Sequence, residues 1–298
     1  MIEVRDVVKN FDGFRALDGL TMTVPAGAVY GLAGPNGAGK STILRHITGV
    51  YKQDSGEVLV NGQPVFENPK LKSDMANIPD ELYYFVSAST RDLMQFYKGF
   101  YPNFDAKRYN DLRDIFTSVN EKQSIRRLSK GMQKQSAFWL ALACRPQLLI
   151  LDEPVDGLDP VMRRQVWSLL MSDVTEFGTT VLVSSHNLRE LEDVCDHVGI
   201  LSKGKVLLER PLADLQDNMV KVQIAFKEGD MPQLPPELKV LHSNQTGRVH
   251  TLIIKENPKA VLTKLESYAP LFMDAIPLTL EEIFIYELGG EDYAKLVL

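Results

Sequence analysis

Apolar positions along the chain fall into two rhythms. Apolar runs at residues 2–8, 29–33, 148–151 and 180–184 read as strands, and the last two are nearly continuous, as expected of strands buried on both faces of a parallel sheet. Residues 56–60 and Val65, joined by Asn61-Gly62, predict a hairpin. From about 81 to 145 the period becomes helical: Leu93, Phe96, Tyr97 and Phe100 share one face, with Thr90 as the expected N-cap. This stretch reads as a helical subdomain inserted into an α/β core.

After residue 214 the rhythm changes again. Val220, Val222, Ile224 and Phe226 alternate as a half-buried strand, a proline-rich loop (Pro232, Pro235, Pro236) follows, and strands are expected at 238–241 and 249–254. Asn257-Pro258 predicts a helix start with Val261, Leu265 and Tyr268 on one face. Thr279 and Glu282 predict a capping box, with Gly289-Gly290 ending that last helix. The expected organisation is a core domain over 1–214 and a small α+β domain over 215–298.

Composition narrows the classes. A net charge of −6 and a pI near 5.5 offer no basic face to nucleic acid. Cys144 and Cys195 show neither metal nor redox spacing, which suits a reducing cytosol. The N-terminal residues lack the pattern of a signal peptide, and the longest apolar run, 137–144, falls short of a spanning helix.

The chemistry concentrates in five stretches. GPNGAGKST, residues 34–42, follows an apolar strand and precedes a short helical pattern. In that context its glycines turn backbone N–H groups of Asn36, Gly37, Ala38 and Gly39 inward around phosphate oxygens; otherwise it is only a flexible turn. Lys40 then reaches the terminal phosphates, Ser41 offers its hydroxyl to Mg²⁺, and Thr42 continues the helix N-terminus that carries partial positive charge.

LLILDEP, residues 148–154, ends a buried strand in two carboxylates. Asp152 there can hold Mg²⁺ through water, and Glu153 can orient and deprotonate an attacking water. Ser184-Ser185-His186 ends the neighbouring strand; His186 alone reads as structural, but at that strand tip it can reach the phosphate or the water. LSKGM, residues 128–132, is either a helix capped by Ser129 or a second phosphate site built from Ser129, Gly131 and the helix N-terminus.

The order P-loop, LSKGM, LLILDEP, DGLDP (156–160) and SSH resembles the ATP-binding subunit of an ABC transporter over about residues 1–215. The resemblance implies an α/β P-loop NTPase core of ABC ATPase type with a helical subdomain, using ATP and Mg²⁺. It implies a head-to-tail dimer with a second ATPase subunit, identical or related, in which Ser129 and Gly131 meet the partner's ATP and Asp159 lies at the interface. It also implies integral membrane transporter subunits as partners and a cytoplasmic, peripheral place at the inner face of the membrane. Phe11 falls where the family stacks an aromatic ring on adenine; the bland reading is a core phenylalanine.

Two departures stand out. Lys130 and Met132 replace a glycine and a glutamine of the usual LSGGQ. Asp80, in IPDE, aligns with the glutamine-loop residue, which puts the usual Mg²⁺ contact in doubt: Asp80 is either a third metal contact, reached when ATP and partner are present, or, as expected for the isolated subunit, points away. The IPDE segment and the C-terminal extension are similar to those of bacitracin-resistance exporters, which implies export. A soluble ABC ATPase switching a macromolecular partner is the alternative. Against it, the chain holds one cassette, and Lys40 lies close in sequence to Asp152 with no long coiled coil between. A P-loop kinase has no use for LSKGM or His186.

Overall fold

The computed structural model describes residues 1–82, 85, 87–227, 232, 234 and 238–287. Contacts divide the chain into two compact units, Met1–Glu209 and Arg210–Leu298. The change of texture expected after residue 214 falls inside the short helix Leu212–Asp217, whose Leu212 and Leu215 are buried.

The first unit holds β1 (Ile2–Phe11), β2 (Phe14–Val24), β3 (Val29–Ala33), β4 (Ser55–Val60), β5 (Gln63–Pro64), β6 (Met75–Ile78), β7 (Leu148–Asp152), β8 (Thr180–Ser185), β9 (His197–Ser202) and all but the last two residues of β10 (Lys205–Pro211). One sheet, in the order β2-β1-β4-β5, is antiparallel. The other runs β10-β9-β3-β8-β7-β6, and its five-strand run from β9 to β6 is parallel. Every residue of β3, β7 and β8 is buried, which explains the apolar runs at their centres. The expected hairpin forms between β4 and β5, with Asn61 and Gly62 both at positive φ, 51° and 72°, as a type I′ turn requires.

Helices α1 (Lys40–Ile47) and α2 (Pro69–Lys72) follow, then the helical insert: α3 (Thr90–Phe100), α4 (Ala106–Leu112) and α5 (Lys130–Ala143). The cap of α3 is Ser89, not Thr90. Ser89 exchanges hydrogen bonds with Asp92 in a capping box, and Thr90 is already the first helical residue, its hydroxyl 2.7 Å from that of Ser136 on α5. Trp139 of α5 is fully buried, stacks on Tyr109 at 4.9 Å and donates its indole N–H to the Tyr109 carbonyl. Arg108 and Arg145 both pair with buried Asp173 of α6 (Pro160–Phe177), which ties the insert to the core. A short α7 (Leu188–Glu192) completes the unit.

The second unit comprises α8 (Leu212–Asp217), β11 (Val220–Ala225), β12 (Val240–Thr246), β13 (Val249–Ile254), α9 (Pro258–Glu266), β14 (Phe272–Ile276) and α10 (Leu280–Glu287). Its antiparallel sheet has the order β12-β13-β11-β14, with Val222, Ile224, Leu252, Ile254, Val261 and Leu265 forming the core. Asn257 and Thr279 cap their helices as expected. Tyr268 lies past the end of α9, and β12 starts at Val240, two residues later than the apolar pattern suggests. Pro235, Pro236, Gly289 and Gly290 lie outside the described residues. Among the described residues no helix is long and apolar enough to cross a membrane.

Candidate functional site

The carboxyl ends of β3, β7 and β8 lie side by side, with Asp152 paired to Ser184 and Ala33 to Ser185 in register. In an open parallel sheet this edge is where ligands bind. The loop from Gly34 to Gly39 leaves β3 here and turns directly into α1.

The glycines are set by space as well as by flexibility. Gly39, the N-cap of α1, has φ 109°, and a Cβ there would stand 2.9 Å from the Ala16 carbonyl oxygen. At Gly34 a Cβ would collide with the Leu201 carbonyl. Asn36 and Gly37 are exposed, Ala38 is buried, and Ser41 and Thr42 are half-buried on the first turn of α1. Lys40 is 6% exposed, and its Nζ donates to the Gly34 carbonyl at 2.7 Å and stands 3.5 Å from Glu153 Oε1.

Asp152 is buried at the end of β7 and accepts a 2.5 Å hydrogen bond from Ser184 Oγ. Glu153 follows in the left-handed region, φ 46°, a costly backbone for glutamate. Its N–H donates to the Ser184 carbonyl at 3.1 Å, and its own carbonyl accepts from Lys134 Nζ of α5. Its carboxylate divides between two neighbours: Oε1 faces Lys40, and Oε2 lies 2.9 Å from His186 Nδ1 and accepts from the His186 N–H. Asp156 joins them, with donor atoms of Glu153, Asp156 and His186 all within 4.8 Å of one another.

Lys40, Asp152, Glu153 and His186 therefore converge as their spacing in sequence suggests. Asp80 does not sit among those carboxylates; its Oδ1 lies 3.7 Å from Lys134 Nζ, and the side chain is half exposed. Ser129 caps α5, accepting from the Met132 N–H at 3.3 Å, so its bland reading holds within the single chain. Gly131 packs so closely on the following loop that a Cβ would stand 2.6 Å from the Gly157 carbonyl oxygen. Asp159 caps α6 through the Val161 and Met162 N–H groups. Phe11 ends β1 with its ring 37% exposed, edge-on to Tyr51 at 5.4 Å; it is not a core residue. Sequence reasoning missed Ser184 and Lys134 as parts of the site. Ser184 opens the SSH motif and faces Asp152 in register, though only His186 of that motif was given a role, whereas nothing in the sequence points Lys134 at a backbone carbonyl.

A hydroxyl at Ser41, a buried carboxylate at Asp152 and a cradle shaped by Gly34 and Gly39 make a set of hard oxygen donors and N–H groups, which fits a Mg²⁺-bound triphosphate.

Comparison with known proteins agrees. Residues 17–156 match the family model described as ABC transporter. The chain is 32% identical over 291 residues to the ABC transporter ATP-binding protein YtrB of Bacillus subtilis (strain 168), covering 98% of this chain and 99% of that protein. It is 31% identical over 218 residues to the bacitracin transport ATP-binding protein BcrA of Bacillus licheniformis, covering 72% of this chain and 71% of that one. A solved ATP binding subunit of an ABC transporter superposes with a TM-score of 0.67 at 26% identity, over 72% of this chain and 92% of that chain. With a P-loop, a buried aspartate and a glutamate gathered at one sheet edge, the chain belongs to the ATP-binding proteins of ABC transporters, the ATPases that power transport.

Proposed function

We propose that this chain hydrolyses ATP as the motor of an exporter whose membrane-spanning subunits are separate chains, and that it works as a dimer with a second ATPase subunit. The observation that carries the reading is the convergence of Lys40, Asp152, Glu153 and His186 beside a glycine cradle. Kinship with a bacitracin transport protein supports export.

In this reading the N–H groups of Asn36 to Thr42 and the Lys40 ammonium bind the triphosphate. Ser41 and Asp152 would hold Mg²⁺, which neutralises charge on the phosphates. Glu153 orients the attacking water and takes its proton, and His186, bonded to that carboxylate, fixes its direction. Phe11, exposed at the tip of β1, presents its ring to adenine. Ser129, Gly131 and Asp159 lie on loops and helix starts with exposed or half-exposed backbone, and they complete the partner subunit's site. The ATPase domain and the C-terminal unit divide between them the tasks of hydrolysis and of supporting the dimer or its regulation.

The test is fractionation of cells carrying the tagged chain. It should sediment with membranes, leave them in alkaline carbonate as a peripheral protein does, and purify in mild detergent with a polytopic membrane protein that raises its ATPase rate. A chain found wholly in the soluble fraction, with an ATPase rate indifferent to membranes, refutes the transport reading.

A further inference from the structure

Lys134 lies in the second turn of α5 and is 6% exposed. A buried ammonium needs partners, and this one has two of opposite character: the backbone carbonyl of Glu153, and the Asp80 carboxylate at 3.7 Å. Glu153 holds a left-handed backbone, φ 46°, that persists only where its surroundings insist on it. Ser184 holds the peptide group before Glu153 by accepting its N–H, and Lys134 holds the one after by donating to its carbonyl. Released from Lys134, that second peptide plane is free to turn, and the direction of the Glu153 side chain turns with it.

The same helix touches this loop a second time. Gly131, one turn earlier, packs against the Gly157 carbonyl so tightly that a Cβ would stand 2.6 Å from the oxygen. Thus α5 grips residues 153–157 at both ends, and Asp80, on the chain after β6, supplies the counter-charge.

We propose that Lys134 is a positioning residue for hydrolysis, whose ammonium, countered by Asp80, holds the Glu153 backbone so that its carboxylate faces the phosphate site. Asp80 is then the counter-ion of Lys134 and not a metal contact. The inference rests on Glu153 being the hydrolytic carboxylate.

The experiment is steady-state ATPase kinetics on the full chain for Lys134→Met, Asp80→Asn, their double variant and Glu153→Gln, each with its ATP-free melting midpoint. Lys134→Met keeps the side-chain volume and should lower kcat by about tenfold to a hundredfold, with KM for ATP within about twofold, the scale of a misdirected catalytic group. Asp80→Asn should lower kcat by only a few fold, leave the Mg²⁺ midpoint in place, and add nothing on the Lys134→Met background. Unchanged kcat in Lys134→Met, or a KM rise that accounts for its whole loss, overturns the proposal. A shift of the Mg²⁺ midpoint by about tenfold or more in Asp80→Asn overturns the counter-ion assignment. Should Lys134→Met not fold, Lys134→Gln carries the same comparison. An inactive Glu153→Gln beside a fully active Lys134 variant removes this proposal alone, whereas wild-type turnover in Glu153→Gln removes the reading beneath it.

Discussion

Glu153→Gln separates the two things this carboxylate does. Its Oε1 stands 3.5 Å from Lys40 Nζ, with the side chains only 7% and 12% exposed for lysine and glutamate. At an effective dielectric near 20 the attraction is about 5 kcal/mol before desolvation. Desolvation offsets most of it, leaving about 1–2 kcal/mol, the range of a charge-assisted hydrogen bond. ATP must displace this contact to reach Lys40, and its own negative charge is then repelled by the same carboxylate. The amide keeps the shape and removes both penalties, so ATP should bind about tenfold more tightly, equivalent to roughly 1.4 kcal/mol. Turnover should fall at least about a hundredfold, because an amide orients water but cannot take its proton. Phosphate release under saturating Mg²⁺-ATP gives the rate, equilibrium titration with ATP gives the affinity, and size exclusion should show an ATP-bound dimer accumulating. A kcat within about tenfold of wild type, together with unchanged or weaker affinity, refutes both roles.

The tip of β1 carries two further predictions. Phe11→Ala should weaken ATP binding by about 1–3 kcal/mol on the scale of base–aromatic stacking. The ring is 37% exposed, so the melting midpoint without nucleotide should hardly move; a large loss of stability at unchanged affinity would make the ring structural. Nearby, Asp54 accepts from Lys9 Nζ at 2.8 Å and from the Asn10 N–H at 2.7 Å, and these bonds, Lys9 first, lower its carboxyl from 3.8 to about 2. The folded state thus favours the deprotonated form. The contribution is complete above about pH 4, is lost as pH falls towards 2, and disappears in Asp54→Asn. A carboxyl NMR titration of Asp54 centred near 3.8 would contradict these bonds.

What was legible in the sequence was what lies contiguous in it. β3, β7 and β8 announce themselves because both faces are buried and their polar residues stand only at the strand ends. β2 alternates between buried and exposed positions only from Leu20 to Val24, the pattern breaking at Asp18-Gly19, where Gly19 takes φ 68°, and it escaped notice. β9 is interrupted by Gly199, where a Cβ would collide with the Tyr30 hydroxyl, a contact set by a strand far away in sequence. Ser89 was readable as the cap of α3, since Asp92 follows it by three residues; Thr90 is chemically as apt, and only the partner three residues on decides. The cluster of Asp152, Glu153 and His186 was legible because each strand delivers its residue at a fixed end, whereas Lys134 depends on how α5 lies against a loop.

Gly131 shows why a correct motif still leaves its cause open. As part of LSKGM it reads as glycine for close approach to a partner's phosphate. Yet the structure demands glycine within one chain, where a Cβ would stand 2.6 Å from the Gly157 carbonyl oxygen. Ser129 has a similar double claim, since its hydroxyl already accepts from the Met132 N–H. These demands do not compete. Within one chain, a helix start capped by serine is pressed by glycine against the 153–157 loop. The glycine of the motif is therefore already demanded by the packing of α5 on its own chain, before any partner is considered.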